Sequence, residues 1–306
     1  MIITCDKCKA RYNLKKKEMI KSVMRVRCSG CGFIFNAYNT RSERIKNGTE
    51  LPEDGCKVIT VCNQKGGVAK TSTCLNLGFS LTGMKKKVLL IDFDVQANLT
   101  VLLGYSHTHS FYDIIKKDAG DLTDFIMQTR YRNLFLLPAS NNLVLLSKKF
   151  FGKKDFEYML KSKFKGLKEQ FDYIIIDTPP SVEFYTLNAL TASDLAVIPG
   201  QCDYLSTHGI DQISRIIDLV RKKSNPDLIS RILITMFDSG STASELIFTK
   251  LIQLYKDRVL KTVIRQDEKI RESQIMSRPV LHYDKDSDAG SRYLHLAKEL
   301  SEIPFI

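Results

Sequence analysis

The run Asn63-Gln64-Lys65-Gly66-Gly67-Val68-Ala69-Lys70-Thr71-Ser72 puts two glycines and two lysines in one short stretch. A glycine-rich turn lets backbone N–H groups close around a phosphate chain, and a helix start behind it adds its positive dipole end. Lys70 would reach the β- and γ-phosphates, and the Thr71 hydroxyl would ligate Mg²⁺. Asp92 and Asp94 close one apolar run and Asp177 closes another. A carboxylate at such a strand end can hold Mg²⁺ through water. Cys5-x-x-Cys8 and Cys28-x-x-Cys31 are two knuckles separated by 19 residues. Their four thiolates complete a tetrahedral zinc site, the spacing being a strong signal. A disulfide pair is the alternative, which a reducing cytoplasm disfavours.

These groups need elements to hold them. Val58–Cys62 reads as a short buried strand before the glycine turn, and apolar spacing turns helical at Cys74–Phe79. Val88–Ile91 delivers Asp92 and Asp94, and Ile174–Ile176 delivers Asp177. Leu134–Ser140 is expected to be a further strand with its exit loop, and Leu195–Pro199 and Ile232–Met236 two more strands, with a helix ending near Arg221–Pro226 between the last two. Strands each followed by a helix specify an α/β fold, a doubly wound and mostly parallel sheet with its ligand at the carboxyl ends of the strands. The lysine-rich segment Phe150–Gln170 is expected to be an exposed helix.

The phosphate box Lys-Gly-Gly-Val-x-Lys-Thr-Ser resembles the deviant Walker A box of the ParA/MinD ATPases. Leu90–Thr100 is similar to that family's second motif, and Tyr173–Ser181 to its Walker B strand and switch. Ile198–Tyr204 and Pro279–Asp284 match in family order, so the likeness runs from about Lys57 to the C-terminus and favours the ParA branch. The resemblance implies a P-loop NTPase that binds ATP with Mg²⁺. In the ATP state it would form a sandwich homodimer, with Lys65 reaching the partner's nucleotide. Asp94 would orient the attacking water, and Asp92 would lie near the Mg²⁺ sphere with Thr71 and Asp177. The ATP-bound dimer would bind DNA without reading its sequence and be reset by a ParB-like centromere-binding or adaptor protein. Plasmid or chromosome partition is the expected function. Positioning of a protein cargo on the nucleoid is the alternative within the family.

One departure is Ala69, where the family usually carries glycine. Glycine avoids Cβ crowding against the phosphates and permits positive φ. Tolerated drift is the favoured reading. The sharper one is an impaired switch, leaving a zinc-ribbon DNA- or protein-binding module with a weak ATPase.

The formal charge of +12 suggests an anionic partner, nucleic acid before a membrane surface. Hydrophobic residues make up 43%, enough for a substantial core. No secretory segment is visible at Met1–Thr4, no apolar run approaches the roughly 20 residues that span a bilayer, and the acidic Leu296–Ile306 tail is a poor amphipathic anchor. A cytoplasmic, nucleoid-associated protein without membrane attachment is the expectation.

Residues 1–38 are expected to form a zinc ribbon whose metal supplies much of its folding energy, 39–56 a polar linker, and 57–306 the ATPase domain. In the ribbon, Arg11–Leu14 and Val23–Arg27 would supply the hairpin strands and Phe33–Phe35 another. The ribbon and linker carry twelve basic and six acidic residues, half the chain's excess. Lys15–Lys17, Arg25 and Arg27 could touch phosphates, and DNA contact and protein docking stand equal for this unit. In the ATPase domain, Lys269 falls where the family has a basic residue implicated in DNA binding. With Arg271, Arg278 and the Arg221-Lys222-Lys223 cluster it would form a phosphate-contacting stripe. Arg265-Gln266-Asp267 replaces the family's usual Pro-Arg-Asn cluster near the base, so adenine contacts are not carried over. Cys56, Cys62, Cys74 and Cys202 show no ligand spacing.

Overall fold

A computed structural model describes residues 2–4, 8, 10–13, 23–32, 34–38, 55–106, 109–117, 122–164 and 166–304. The chain divides into two compact units, Met1–Glu53 and Asp54–Ile306.

In the first unit, strands β1 (Ile2–Thr4) and β2 (Arg11–Asn13) pair antiparallel, and β3 (Val23–Arg27) pairs antiparallel with β4 (Ile34–Tyr38). This corrects the expected hairpin in two ways. The Arg11 segment pairs with Ile2–Thr4 rather than with Val23–Arg27, and the returning strand extends to Tyr38. The physical reason is local: each strand pairs with its neighbour in sequence, because closing a short connection costs less chain entropy than reaching the other hairpin. The expected contacts of Lys15–Lys17 and the linker at 39–54 lie outside the described residues.

The second unit is built on an eight-stranded sheet of the described residues. Its strands are β5 (Lys57–Val61), β6 (Val88–Asp92), β7 (Met127–Gln128), β8 (Leu134–Leu137), β9 (Tyr173–Asp177), β10 (Leu195–Gln201), β11 (Ile229–Phe237) and β12 (Val259–Arg265). Their order is β12-β11-β10-β5-β9-β6-β8-β7, and every neighbouring pair is parallel except β7 with β8 at one edge. The apolar runs are continuous because both faces of the sheet are covered. Alternate residues feed opposite cores: Ile59, Leu90 and Ile175 pack on one side, Val58, Leu89 and Ile174 on the other.

Helix α1 (Lys70–Gly83) follows β5 and packs on the first face, together with the C-terminal helix of 288–301. Gly78 of α1 allows close approach, since a Cβ there would lie 2.7 Å from a Leu90 methyl. Short helices α2 (Asn98–Leu102), α3 (Phe111–Lys116) and α4 (Leu143–Phe150) flank β7 and β8. Helix α5 (Met159–Ser162) and helix α6 (Phe184–Ala192) line the second face. Helix α7 (Tyr204–Lys223) follows β10 and buries Ile210, Ile213 and Ile217 on the face opposite α1. The helices after β5 and β10 thus leave the sheet on opposite sides, opening a crevice at the strand ends.

The expected exposed helix at 150–170 is not formed. Gly152 (φ 79°), Asp155 (φ 58°) and Gly166 (φ 81°) are left-handed, and only the four-residue α5 and one 3₁₀ turn interrupt the turns. Leu160, Phe164, Leu167 and Phe171 are buried while Lys161 and Lys168 are exposed, so these two lysines are the wet side of an irregular core-facing segment.

Helices α8 (Thr242–Tyr255), α9 (Glu268–Ile275), α10 (Val280–Tyr283) and α11 (Asp288–Ser301) complete the unit. The outer edge of β12 is covered by α11 side chains. Glu299 accepts the backbone N–H groups of Lys261 (2.6 Å) and Thr262 (2.9 Å), and Arg292 donates to the Val263 carbonyl at 2.9 Å. Among the described residues no helix is long and apolar enough to cross a membrane.

Candidate nucleotide site and metal centre

The phosphate loop emerges from the centre of the sheet and is tied to two neighbouring strands, β10 and β11. The Asn63 carboxamide donates to the Pro199 carbonyl (2.7 Å) and accepts the Lys65 N–H (3.0 Å). Gln201 donates to the Gly67 carbonyl at 3.1 Å, and the Thr235 hydroxyl to the Val68 carbonyl at 3.1 Å. These side chains fix a segment whose outer surface, Gly66 and Gly67, is exposed and free of neighbours at the positions a Cβ would take. Gly67 has φ 75°, and Ala69, the residue before α1, has φ 67°. The loop therefore keeps the left-handed geometry that glycine would accept freely, and alanine adopts it at a cost of about 1–2 kcal/mol.

Lys70 opens α1 with its ammonium buried and donating to the Lys65 carbonyl at 3.0 Å. Burial pulls its pKa below the ordinary lysine range, opposed by the Asp177 and Asp94 charges. Thr71 and Ser72 follow, both half-buried, and the Ser72 hydroxyl accepts from Gln274 of α9 at 2.7 Å.

Asp177 is 0% exposed, and neither of its carboxylate oxygens has a hydrogen-bond partner. Burial and the neighbouring Asp92 charge push its carboxyl up to about 8, while Thr71 and Lys70 pull it back. A dry, unpartnered carboxylate beside an ammonium and a hydroxyl is costly without a cation. This donor set of hard oxygens fits Mg²⁺. Asp92 is differently used. It accepts from the Thr100 backbone (2.8 Å) and hydroxyl (2.7 Å) and from the Asp94 N–H (3.2 Å), so it anchors the turn into α2. Burial raises Asp92 to about 6, against those hydrogen bonds. Asp94 caps the same turn by accepting the Gln96 N–H at 2.9 Å.

Lys65 points away from Lys70. Its ammonium lies 2.6 Å from Asp203 and 3.0 Å from the Ser206 hydroxyl, and Asp203 is the N-cap of α7, accepting the Ser206 N–H at 2.8 Å. Partial burial would raise the Asp203 carboxyl, but the hydrogen bonds from Lys65 and Ser206 hold it below the ordinary range. Asp203 and the loop buttresses Asn63, Gln201 and Thr235 were not singled out as site residues from the sequence. Their roles arise between segments more than a hundred residues apart; Asn63, Gln201 and Asp203 stand inside recognisable motifs, and Thr235 does not.

The proposed DNA cations fall into two places. Lys269 and Arg271 sit on α9, beyond the carboxyl end of β12, whereas Arg221 and Lys222 end α7, before the amino end of β11. A nine-residue strand separates these ends by about 30 Å, so one continuous stripe is not formed. Lys269 pairs with Glu272 at 2.8 Å and Arg271 with Glu268 at 3.4 Å. Arg221 donates to the Leu228 carbonyl (2.7 Å), Asp218 (2.9 Å) and Ser230 (3.2 Å), while Lys222 is exposed.

In the first unit the sulfurs of Cys8, Cys28 and Cys31 lie within 4.8 Å of one another, with Cys8 and Cys28 at 3.4 Å. Cys5 lies outside the described residues. A hydrogen bond with Tyr12, aided by Cys31 and Cys8 and opposed by burial, draws the Cys28 thiol down to about 6. Three convergent sulfurs with a thiolate favoured among them suit a soft tetrahedral metal such as zinc.

The profile of a family described as an AAA domain matches residues 56–230, and that of a zinc-ribbon domain matches residues 1–36. The sporulation initiation inhibitor protein Soj of Bacillus subtilis is 39% identical over 249 residues, covering 80% of this chain and 98% of Soj. The chromosome partitioning protein ParA of Myxococcus xanthus is 34% identical over 248 residues, 80% of this chain and 87% of that protein. Among solved structures, a putative plasmid partition protein from Borrelia burgdorferi bound to AMPPNP superposes with a TM-score of 0.69 at 27% identity, covering 81% of this chain and all of that one. Cobyrinic acid a,c-diamide synthase from Mycobacterium smegmatis, with bound ATP analogue and magnesium, gives a TM-score of 0.70 at 30% identity over 82% of this chain and 99% of that one.

Proposed function

This chain belongs to the ParA/Soj family of P-loop partition ATPases, and from that premise we propose that it is an ATP-hydrolysing switch that moves a plasmid or chromosome. The observation that carries the proposal is the unpartnered Asp177 carboxylate at the end of β9, paired with the end of the strand that feeds the phosphate loop. The loop amides and Lys70 would receive the phosphates of ATP, and Thr71 and Asp177 would hold the magnesium ion. When bound, the ion would supply charge neutralisation to the phosphates during transfer. Asp94, at the turn after β6, holds the attacking water. Asp92 fixes that turn through Thr100.

The active state is a homodimer in which Lys65 leaves Asp203 and engages the partner's nucleotide. The dimer binds DNA through backbone phosphates, with Lys269 and Arg271 at one end of the sheet and Arg221 and Lys222 at the other as contributors. A ParB-like protein accelerates turnover and resets the cycle on the nucleoid. Zinc on Cys5, Cys8, Cys28 and Cys31 folds the ribbon.

Binding of the zinc-loaded protein to random duplex DNA with ATP, ADP or no nucleotide tests the switch. Tight binding with ATP alone, falling steeply with salt, is the expected result. Equal binding in all three states would assign DNA contact to the ribbon or to surface charge and remove the switch.

A further inference from the structure

The two hairpins of the ribbon belong to separate two-stranded sheets, yet one side chain crosses between their described residues at the sulfur cluster. The Tyr12 hydroxyl, on β2, lies 2.9 Å from Cys28 Sγ, 16 residues away on the second knuckle. The same oxygen is 3.2 Å from the Gly30 N–H and 3.3 Å from the Ser29 hydroxyl, each of which donates to it. A phenol has one proton and two acceptor positions. The two donors from the knuckle fill the acceptor positions, so the proton is left pointing at sulfur. Cys28 is 1% exposed, which denies its sulfur the water that would otherwise stabilise a negative charge.

We propose that Tyr12 is a positioning residue of the ribbon's metal centre, donating its one hydroxyl proton to the Cys28 thiolate and so fixing that ligand for the metal. The proposal rests on the zinc reading above. Hydrogen bonding of this kind orients a ligand, makes up for its lost hydration and ties the second knuckle to the strand that follows the first. Backbone amides usually do this around clustered thiolates. Here a side chain does it, and the bond can be deleted by removing a single oxygen.

The test uses the full chain, with Tyr12→Phe beside the wild type. Zinc affinity is read by competition with a chromophoric chelator, and the site is also loaded with Co²⁺ to observe its sulfur-to-metal charge-transfer band. The Phe variant should still bind one metal at saturation, with affinity reduced on the order of tenfold. Its charge-transfer band should move to lower energy, because a thiolate relieved of a hydrogen bond gives up electron density more readily. Tyr12 acting only through ring packing would leave that band in place. An unchanged band and unchanged affinity overturn the proposal. A wild type that takes up no metal overturns the zinc reading instead. Should the Phe variant take up no metal, Ser29→Ala decides: it removes one of the two donors that orient the hydroxyl, and the band should shift less but in the same direction. No shift in Ser29→Ala would again overturn the proposal.

Discussion

The Lys65 ammonium is held 2.6 Å from Asp203 of its own chain, with the Ser206 hydroxyl as second partner. A lysine so committed is not extended toward a second molecule, and the ion pair is part of what the proposed ATP-driven dimerisation would have to exchange. Asparagine is as good an N-cap as aspartate, so Asp203→Asn keeps the start of α7 while removing the charge that holds Lys65. ATP-dependent dimerisation should then occur at several-fold lower protein concentration, measured by sedimentation. A weaker dimer would mean that Asp203 serves the dimer and not the resting chain.

Ala69 sits at φ 67°, where an L-residue is strained. Ala69→Gly should raise stability by about 1 kcal/mol or more, equivalent to roughly 2–4 °C in Tm for a domain of this size. Urea and thermal unfolding of the zinc-loaded chain give the value. ATP affinity should be equal or higher, and a lower affinity would show that the methyl group helps to shape the loop.

Asp177 makes a pH prediction. Its folded carboxyl is raised to about 8, so between an unfolded value of about 4 and that pH the native state binds more protons than the unfolded chain. By linkage, the contribution of this group to stability falls as pH rises through that window. Asp177→Asn should flatten the slope in magnesium-free protein and stabilise it most near pH 8, while abolishing ATP turnover. A variant whose pH profile follows the wild type would place the buried charge elsewhere.

Glu272 pairs with Lys269 and also accepts the Tyr283 hydroxyl at 2.9 Å. Glu272→Gln releases the cation without deleting it, so affinity for random duplex DNA should rise a few-fold. Lys269→Ala should lower affinity and reduce the log–log salt slope by about one. A slope that stays constant in both variants would take α9 out of the DNA interface.

The central strands and the phosphate loop could be read from the chain because parallel strands covered on both faces are unbroken apolar runs, each ending on a functional residue. Ile174–Ile176 with Asp177 is an example. The segment at 150–170 could not be read that way. Its buried Leu160, Phe164, Leu167 and Phe171 recur at helical spacing, while the left-handed turn at Asp155 has no composition signal. Lys65 and Asp203 are 138 residues apart, and no local pattern announces their pairing. The basic residues of α7 and α9 illustrate the opposite error. They look alike in sequence, yet a full strand length separates their ends of the sheet.

The cover of β12 by Glu299 and Arg292 has a consequence for the fate of the molecule in a crowded cell. An open sheet edge with free amides is a template on which another chain can add a strand, and repetition of that step leads to aggregation. Glu299 occupies two of the amides and Arg292 one carbonyl, so this margin of the sheet offers fewer places for growth. If the chain gathers reversibly on DNA as proposed above, this cover keeps its self-association off the β12 margin, where contact would be hard to undo. Glu299→Ala would reopen it, trading a regulated assembly for an adhesive one.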